Sequence, residues 1–383
     1  FTFNGTGIFA LNGNNTYSGA TTVSAGTLKL GNATALGTAA AGTTVASGAV
    51  LDLNGQNISN AEALTISGDG ISSGGALINT SSTAATFGGL LTLADDTLIV
   101  GDTGTISLSN AGTITGSYDL TLGGAQGGSI TSIVGISTGA LTKVGAGTWT
   151  MSGLNTYSGG TSINTGTLKA GSARAFGASA GAITVADGAV LDLNGTTLTN
   201  TNALTLNGMG IGSSGALTNS SSTTGVYAGS ITLGSISTIG GTGGTVSVTG
   251  AISATSNNYG LVFIGTKAIS LSSTSNALRK IASETGVGAL TIVNTGDLEI
   301  GTVSTYNGIN AGGAINIRTT GDLTISKNIV TTSTSKSASA PALLLSAGSG
   351  EAAGSITKNI LLVGGPTFTV GAGGAANFYT GGL

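Results

Sequence analysis

Two neighbouring carboxylates, Asp95-Asp96 with Asp102 close behind, stand out in this 383-residue chain, which offers little else by way of paired acids. Paired acids hydrolyse glycosides when they face one another across about 5–10 Å. Adjacent strand residues point to opposite faces, so within a strand this pair diverges. A second copy of the same text, described below, has Ser235-Ile236 in its place. The expectation is a solvated turn, with a cation site as the alternative. Asp52 and Asp192 recur in the words LDLNG and raise calcium binding. The glycine-rich calcium nonapeptide GGxGxDxUx is absent, and leucines flank each aspartate. Both are expected to be outward polar residues.

Other chemistry is scarce. The chain has no His and no Cys, which removes imidazole and thiolate catalysis, the matching metal sites and disulfides. Arg279-Lys280 with Lys267 is the only basic cluster, and with a net charge of −3 it marks a solvated face, not a nucleic-acid site. GGAQGGS and GTGGT lack the lysine and following helix of a phosphate loop, so they read as turns. Trp149 and Tyr157 form an imaginable sugar-stacking pair, but an aromatic in a core or at a corner is the expected role. An ice-binding face needs a regular outward Thr-x-Thr ladder, whereas the outward positions vary among Lys, Asp, Thr, Ser and Asn. No catalytic residue, cofactor or metal is expected, and a polysaccharide lyase or hydrolase is the least favoured reading.

The elements that carry these residues are short. Aliphatic–polar–aliphatic triplets sit between glycine-rich turns: Leu28-Lys29-Leu30, Leu51-Asp52-Leu53, Leu64-Thr65-Ile66, Leu91-Thr92-Leu93. Such alternation is the mark of a strand with one buried face. Charged residues are 7% of the chain and Gly 69 of its residues, while hydrophobic residues reach 39%, which argues against disorder. No sustained helical period occurs, and no apolar run approaches the ~18 residues of a membrane-spanning helix.

The text is also duplicated. NTYSGATTVSAGTLKLG at Asn15 returns as NTYSGGTSINTGTLKAG at Asn155. VASGAVLDLNG returns as VADGAVLDLNG, and GALINTSST as GALTNSSST, at the same spacing. Further on, TGDLEI at Thr295 recurs as TGDLTI at Thr320, a much shorter interval. Strands this short need near-identical neighbours to stack on, and a spacing of roughly 20 to 30 residues is about one coil. The expected fold is all-β: a right-handed parallel β-helix, or β-solenoid, of stacked coils of about 20–30 residues. Asn54 and Asn194, in the LDLNG turns, are expected to bond to neighbouring coils. The expected organisation is one repeat unit over 1–140, a second over 141–255, and a continuing solenoid over 256–383 with a polar loop near 327–340.

The words GLNTYSGGTSINTGTLKAG, preceded by LTKVGAGTWTM, and the earlier LNGNNTYSGATTVSAGTLKLG resemble the autotransporter-associated β-strand repeat, also called the passenger-associated transport repeat. The motif positions are Asn15, Tyr17, Gly19, Gly26, Thr27 and Leu28, and again Asn155, Tyr157, Gly159, Gly166, Thr167 and Leu168. The resemblance implies that these are structural positions in the secreted passenger of a Gram-negative surface protein. Residues 285–325 are similar to filamentous-haemagglutinin-type adhesin repeats. Together these imply an extracellular or cell-surface structural or adhesive protein and no enzyme. The implied partner is a host or matrix ligand, with no nucleic acid and no membrane insertion by this segment. Phe1 to Ala10 align with Leu141 to Thr150, and VGAGGAANFYTGG from Val370 echoes the motif once more. Ends that fall in mid-repeat suggest either a longer chain or subunits, other copies of itself, stacking end to end into a filament.

Overall fold

The computed structural model describes residues 1–350 and 358–380. The echo of the motif after Val370 is therefore described only to Thr380, and residues 381–383 lie outside. The chain forms two compact units, Phe1–Ile183 and Thr184–Leu383.

Each unit is a right-handed parallel β-solenoid. In the first, Thr21–Val23 lies in register on Thr43–Val45, and Thr43 in turn on Leu64. A second column runs Leu28, Leu51, Leu77, Ile99, Leu122. A third runs Ala85, Ile106, Gly128, Trp149, Leu168. Like residues stack because each coil repeats the alternation of the one before, so every inward side chain meets an inward side chain. Leu28, Leu51, Leu53, Leu122 and Leu168 are fully buried. Trp149 fits because its stacking partner is Gly128, where a Cβ would press on the indole ring. Its indole N–H donates to the Gly123 carbonyl at 3.0 Å.

In the second unit one column runs Val246, Ile269, Leu290, Ile315, Leu343. The duplicated TGDLEI and TGDLTI lie directly over one another, Leu298 on Leu323 and Ile300 on Ile325. Among the described residues there is no α-helix, only two 3-10 turns at Ile71–Ser73 and Ile211–Ser213. The polar loop expected over 327–340 needs correction. Ile329–Thr331 is a solenoid strand, in register between Ile309–Ala311 and Phe368–Thr369. The run of Thr and Ser hides one more alternation, in which Ile329 and Thr331 are buried and the Thr331 hydroxyl donates to the Gly313 carbonyl at 2.6 Å. The excursion begins after Thr331 and ends at Leu343–Ala347.

Among the described residues, one pair of strands departs from the parallel pattern. Thr302–Val303 and Tyr306–Asn307 pair antiparallel, forming a small hairpin on the flank of the second unit. Its Val303 joins Val262, Ile264 and Ala282 in an apolar cluster against which Met209, Ile236 and Tyr306 pack.

Candidate functional site

The motif residues divide into staples and spacers. Asn155 is 0% exposed and ties neighbouring coils together. Its Oδ1 accepts the Val134 N–H at 2.8 Å, and its Nδ2 donates to the Ala175 carbonyl at 2.6 Å. Asn15 is partly exposed and donates to the Ala35 carbonyl at 2.7 Å. Tyr157 is fully buried, and its hydroxyl pairs with that of Thr161 at 2.8 Å. Burial raises its pKa above that of a free phenol despite this hydrogen bond. Tyr17 repeats the contact with Thr21 at 2.7 Å from a partly exposed position. Trp149 and Tyr157 thus form part of the interior and offer no sugar platform. Gly26 and Gly166 turn the chain at φ of 67° and 70°. A side chain on either would strike carbonyls of the preceding coil, Gly5 and Gly7 or Gly145 and Gly147. Gly159 also lies hard against the coil before it, whereas Gly19 is open.

Asp52 and Asp192 are not outward residues, contrary to the alternation read from LDLNG: they are 2% and 4% exposed. The Asp52 carboxylate accepts the Asn54 N–H at 2.9 Å, the Thr80 N–H at 3.2 Å and the Thr80 hydroxyl at 2.6 Å, with Lys29 at 3.6 Å. Asp192 accepts the Asn194 N–H at 2.9 Å, the Ser220 N–H at 3.0 Å and the Ser220 hydroxyl at 2.6 Å. These carboxylates cap the tight turn that follows the strand and fold over onto the next coil. Asn54 and Asn194 hold positive φ in those turns, and Asn54 donates to the Leu30 carbonyl at 2.9 Å.

Several structural residues are ones that the motif reading passes over. Asn79 and Asn219, at equivalent places inside GALINTSST and GALTNSSST, are fully buried. Asn79 accepts from Gly55 N–H at 2.9 Å and donates to the Thr83 and Thr105 carbonyls at 2.9 and 3.0 Å. Asn219 repeats all three bonds on Gly195, Thr223 and Thr245. Lys143 is a buried lysine whose ammonium donates to the carbonyls of Val144, Gly145 and Thr165 at 2.8, 2.6 and 3.1 Å. Burial lowers its pKa to about 8. Glu62 is buried, with Oε1 accepting from the Thr43 hydroxyl at 2.8 Å and Oε2 unpaired. Desolvation raises its pKa, and the Thr43 hydrogen bond only partly opposes this.

On the surface, Asp95 and Asp96 are both solvent-exposed, at a register shift within Leu91–Gly101. The Asp95 carboxylate accepts the Asp96 N–H and the Asp96 carboxylate the Asp119 N–H, each at 2.9 Å. No group of three or more metal-ligating side chains occurs among the described residues. Lys280 pairs with Glu299 at 2.9 Å.

A concave surface lies beside the hairpin in the second unit. It measures about 440 Å³ and is lined by Asp187, Met209, Ser235, Ile236, Asn258, Tyr259 and Ser304. A smaller recess of about 140 Å³ shares Ile236, Asn258 and Ser304 and continues it to Lys280 and Thr302. Ser304, at the hairpin tip, has φ of 54°.

Two segments, residues 1–30 and 141–170, match the Passenger-associated-transport-repeat family. The chain is also 38% identical over 115 residues to the protein named Adhesin BmaC autotransporter of Brucella suis biovar 1 (strain 1330). That alignment covers 30% of this chain and 3% of the adhesin. No solved structure matches. The matched repeats, the solenoid and the local likeness to an autotransporter adhesin agree in kind.

Proposed function

We propose that the chain is a cell-surface or secreted structural and adhesive β-solenoid, without catalytic activity, that presents a binding surface to a host or matrix ligand. What carries this reading is the use made of its polar residues. Asn155, Asn79, Asn219, Asp52 and Asp192 spend their hydrogen bonds on neighbouring turns and coils. Side chains committed to cross-coil bonds build a stiff scaffold and are not available for proton transfer. The two transport repeats support export as a passenger. Localisation at the bacterial surface, beyond the outer membrane, follows from the same reading.

The test sets binding beside turnover. Purified chain is screened against immobilised matrix proteins and host-cell glycans, and incubated with neutral and acidic polysaccharides while new reducing ends are measured. Binding without chain cleavage is the expected result. Measurable turnover of any polysaccharide would replace the adhesive reading with an enzymatic one.

A further inference from the structure

The duplication supplies an internal control for the groove beside the hairpin. Tyr118 and Tyr259 are equivalent, since each stands just before the leucine, Leu120 or Leu261, that stacks on Thr97 or on Ser237. Around Tyr118 the corner is acidic and exposed, with Asp69, Asp95, Asp96 and Asp119. Around Tyr259 the matching residues are Met209, Ser235, Ile236 and Gly260. The coil folds equally well with either set, so stacking does not demand the exchange.

The exchange does make room for the hairpin. A Cβ on Gly260 would collide with the Val303 side chain, so this glycine lets the hairpin lie against the solenoid and raise one wall of the groove. The apolar half of the new surface, Met209 and Ile236, packs against the Val303 cluster. Of the polar half, the fold uses Ser235, whose hydroxyl accepts the Gly208 N–H at 2.9 Å. Among the described residues, the Asp187 carboxylate, the Tyr259 hydroxyl and the Asn257 and Asn258 side-chain amides have no protein partner. They contrast with Asn79, Asn155 and Asn219, whose side-chain amides both donate to and accept from the scaffold.

We propose that this groove is a binding site for a neutral or amino-substituted oligosaccharide, deepening the adhesive reading on which it rests. An aromatic ring and a thioether beside unpaired amides and hydroxyls match a pyranose, which has an apolar C–H face and a polar rim. The coils flooring the groove, through Gly208, Ser237, Leu261 and Ile281, are paired in succession. They span three steps of ~4.8 Å, about 14 Å, enough for a few sugar rings. An extended peptide is disfavoured, because those strands leave no free edge along the floor and the hairpin arms, Thr302–Val303 and Tyr306–Asn307, are too short to template one. The unpaired Asp187 opposes sulfated or carboxylated chains, and Lys280 is engaged by Glu299.

The test uses the full chain with tetrasaccharides of hexoses and of N-acetylated or free hexosamines, read by calorimetry and by saturation transfer, beside adherence to cultured cells. Tyr259→Ala and Asn258→Ala should each weaken tetrasaccharide binding by about tenfold or more, as for an aromatic anchor and its neighbour. Tyr118→Ala should leave it unchanged, and thermal unfolding of all three variants should match the parent. Sugar binding that survives both groove substitutions would overturn the site. So would cell adherence with no affinity for any of the tetrasaccharides, although the adhesive reading itself would then stand. Loss of adherence together with absence of sugar binding would defeat both.

Discussion

Replacing Asn155 by Ala removes a fully buried amide and leaves two backbone groups on different coils without partners. These are the Val134 N–H, now bonded at 2.8 Å, and the Ala175 carbonyl, now bonded at 2.6 Å. An orphaned buried donor or acceptor costs about 1–3 kcal/mol, so the two together cost about 2–6 kcal/mol before any cavity term. Asn15→Ala breaks a bond to the Ala35 carbonyl at a partly exposed position, where water can replace the amide, and should cost about 1 kcal/mol. Both residues lie in the first unit, so the comparison is made within one folded body. Denaturant unfolding gives the global cost. Hydrogen exchange followed by mass spectrometry should show the peptides holding Val134 and Ala175 losing protection first, because a solenoid's stability is nearly additive over neighbouring coils. If Asn155→Ala unfolds within about 0.5 kcal/mol of the parent, with exchange unchanged, the asparagine does not staple the coils and the argument from buried amides fails.

Leu53 is fully buried, so Leu53→Asp should cost several kcal/mol, on the order of 3–5 kcal/mol, by burying an unpaired charge; a parent-like melting curve would show that Leu53 does not face the core. Glu62 titrates above its ordinary range when folded, so between the unfolded and folded values the native state holds a proton that the unfolded chain has lost. Stability from this group is therefore present in acid and is lost as pH rises through the folded value. Glu62→Gln should flatten that fall, read from thermal melts across pH; an unchanged pH profile would refute it.

Much of the scaffold was legible because a solenoid writes its register directly into spacing. Triplets such as Leu28-Lys29-Leu30 and Leu64-Thr65-Ile66 turn their aliphatics inward, and the interval between the two TGDL words is the stacking offset of Leu298 on Leu323. Alternation failed at Asp52 and Asp192, because a carboxylate at the end of a strand can bend over its turn and satisfy two amides and a hydroxyl there. It failed at Ile329–Thr331, where inward threonine looks the same in the text as solvated threonine. Lys143 carries no signal in the text for a related reason: three carbonyls at a coil corner accommodate its ammonium. The hairpin and its groove left little trace, because GTVSTYNG reads as any other turn and the groove depends on contacts among several coils. A trace existed, however, in the comparison of copies: Asp69, Asp95 and Asp96 become Met209, Ser235 and Ile236 at fixed spacing.

A displayed, adhesive solenoid should make cells that carry it stick. The decisive measurement presents the chain on the surface of a Gram-negative cell and counts adherent bacteria on host cells and on matrix-coated wells, before and after protease shaving. The expected result is adherence well above that of cells lacking the chain, returning to background when surface protein is removed. Adherence equal to that of the bare cells on every substratum, with the folded chain demonstrably at the surface, would contradict it.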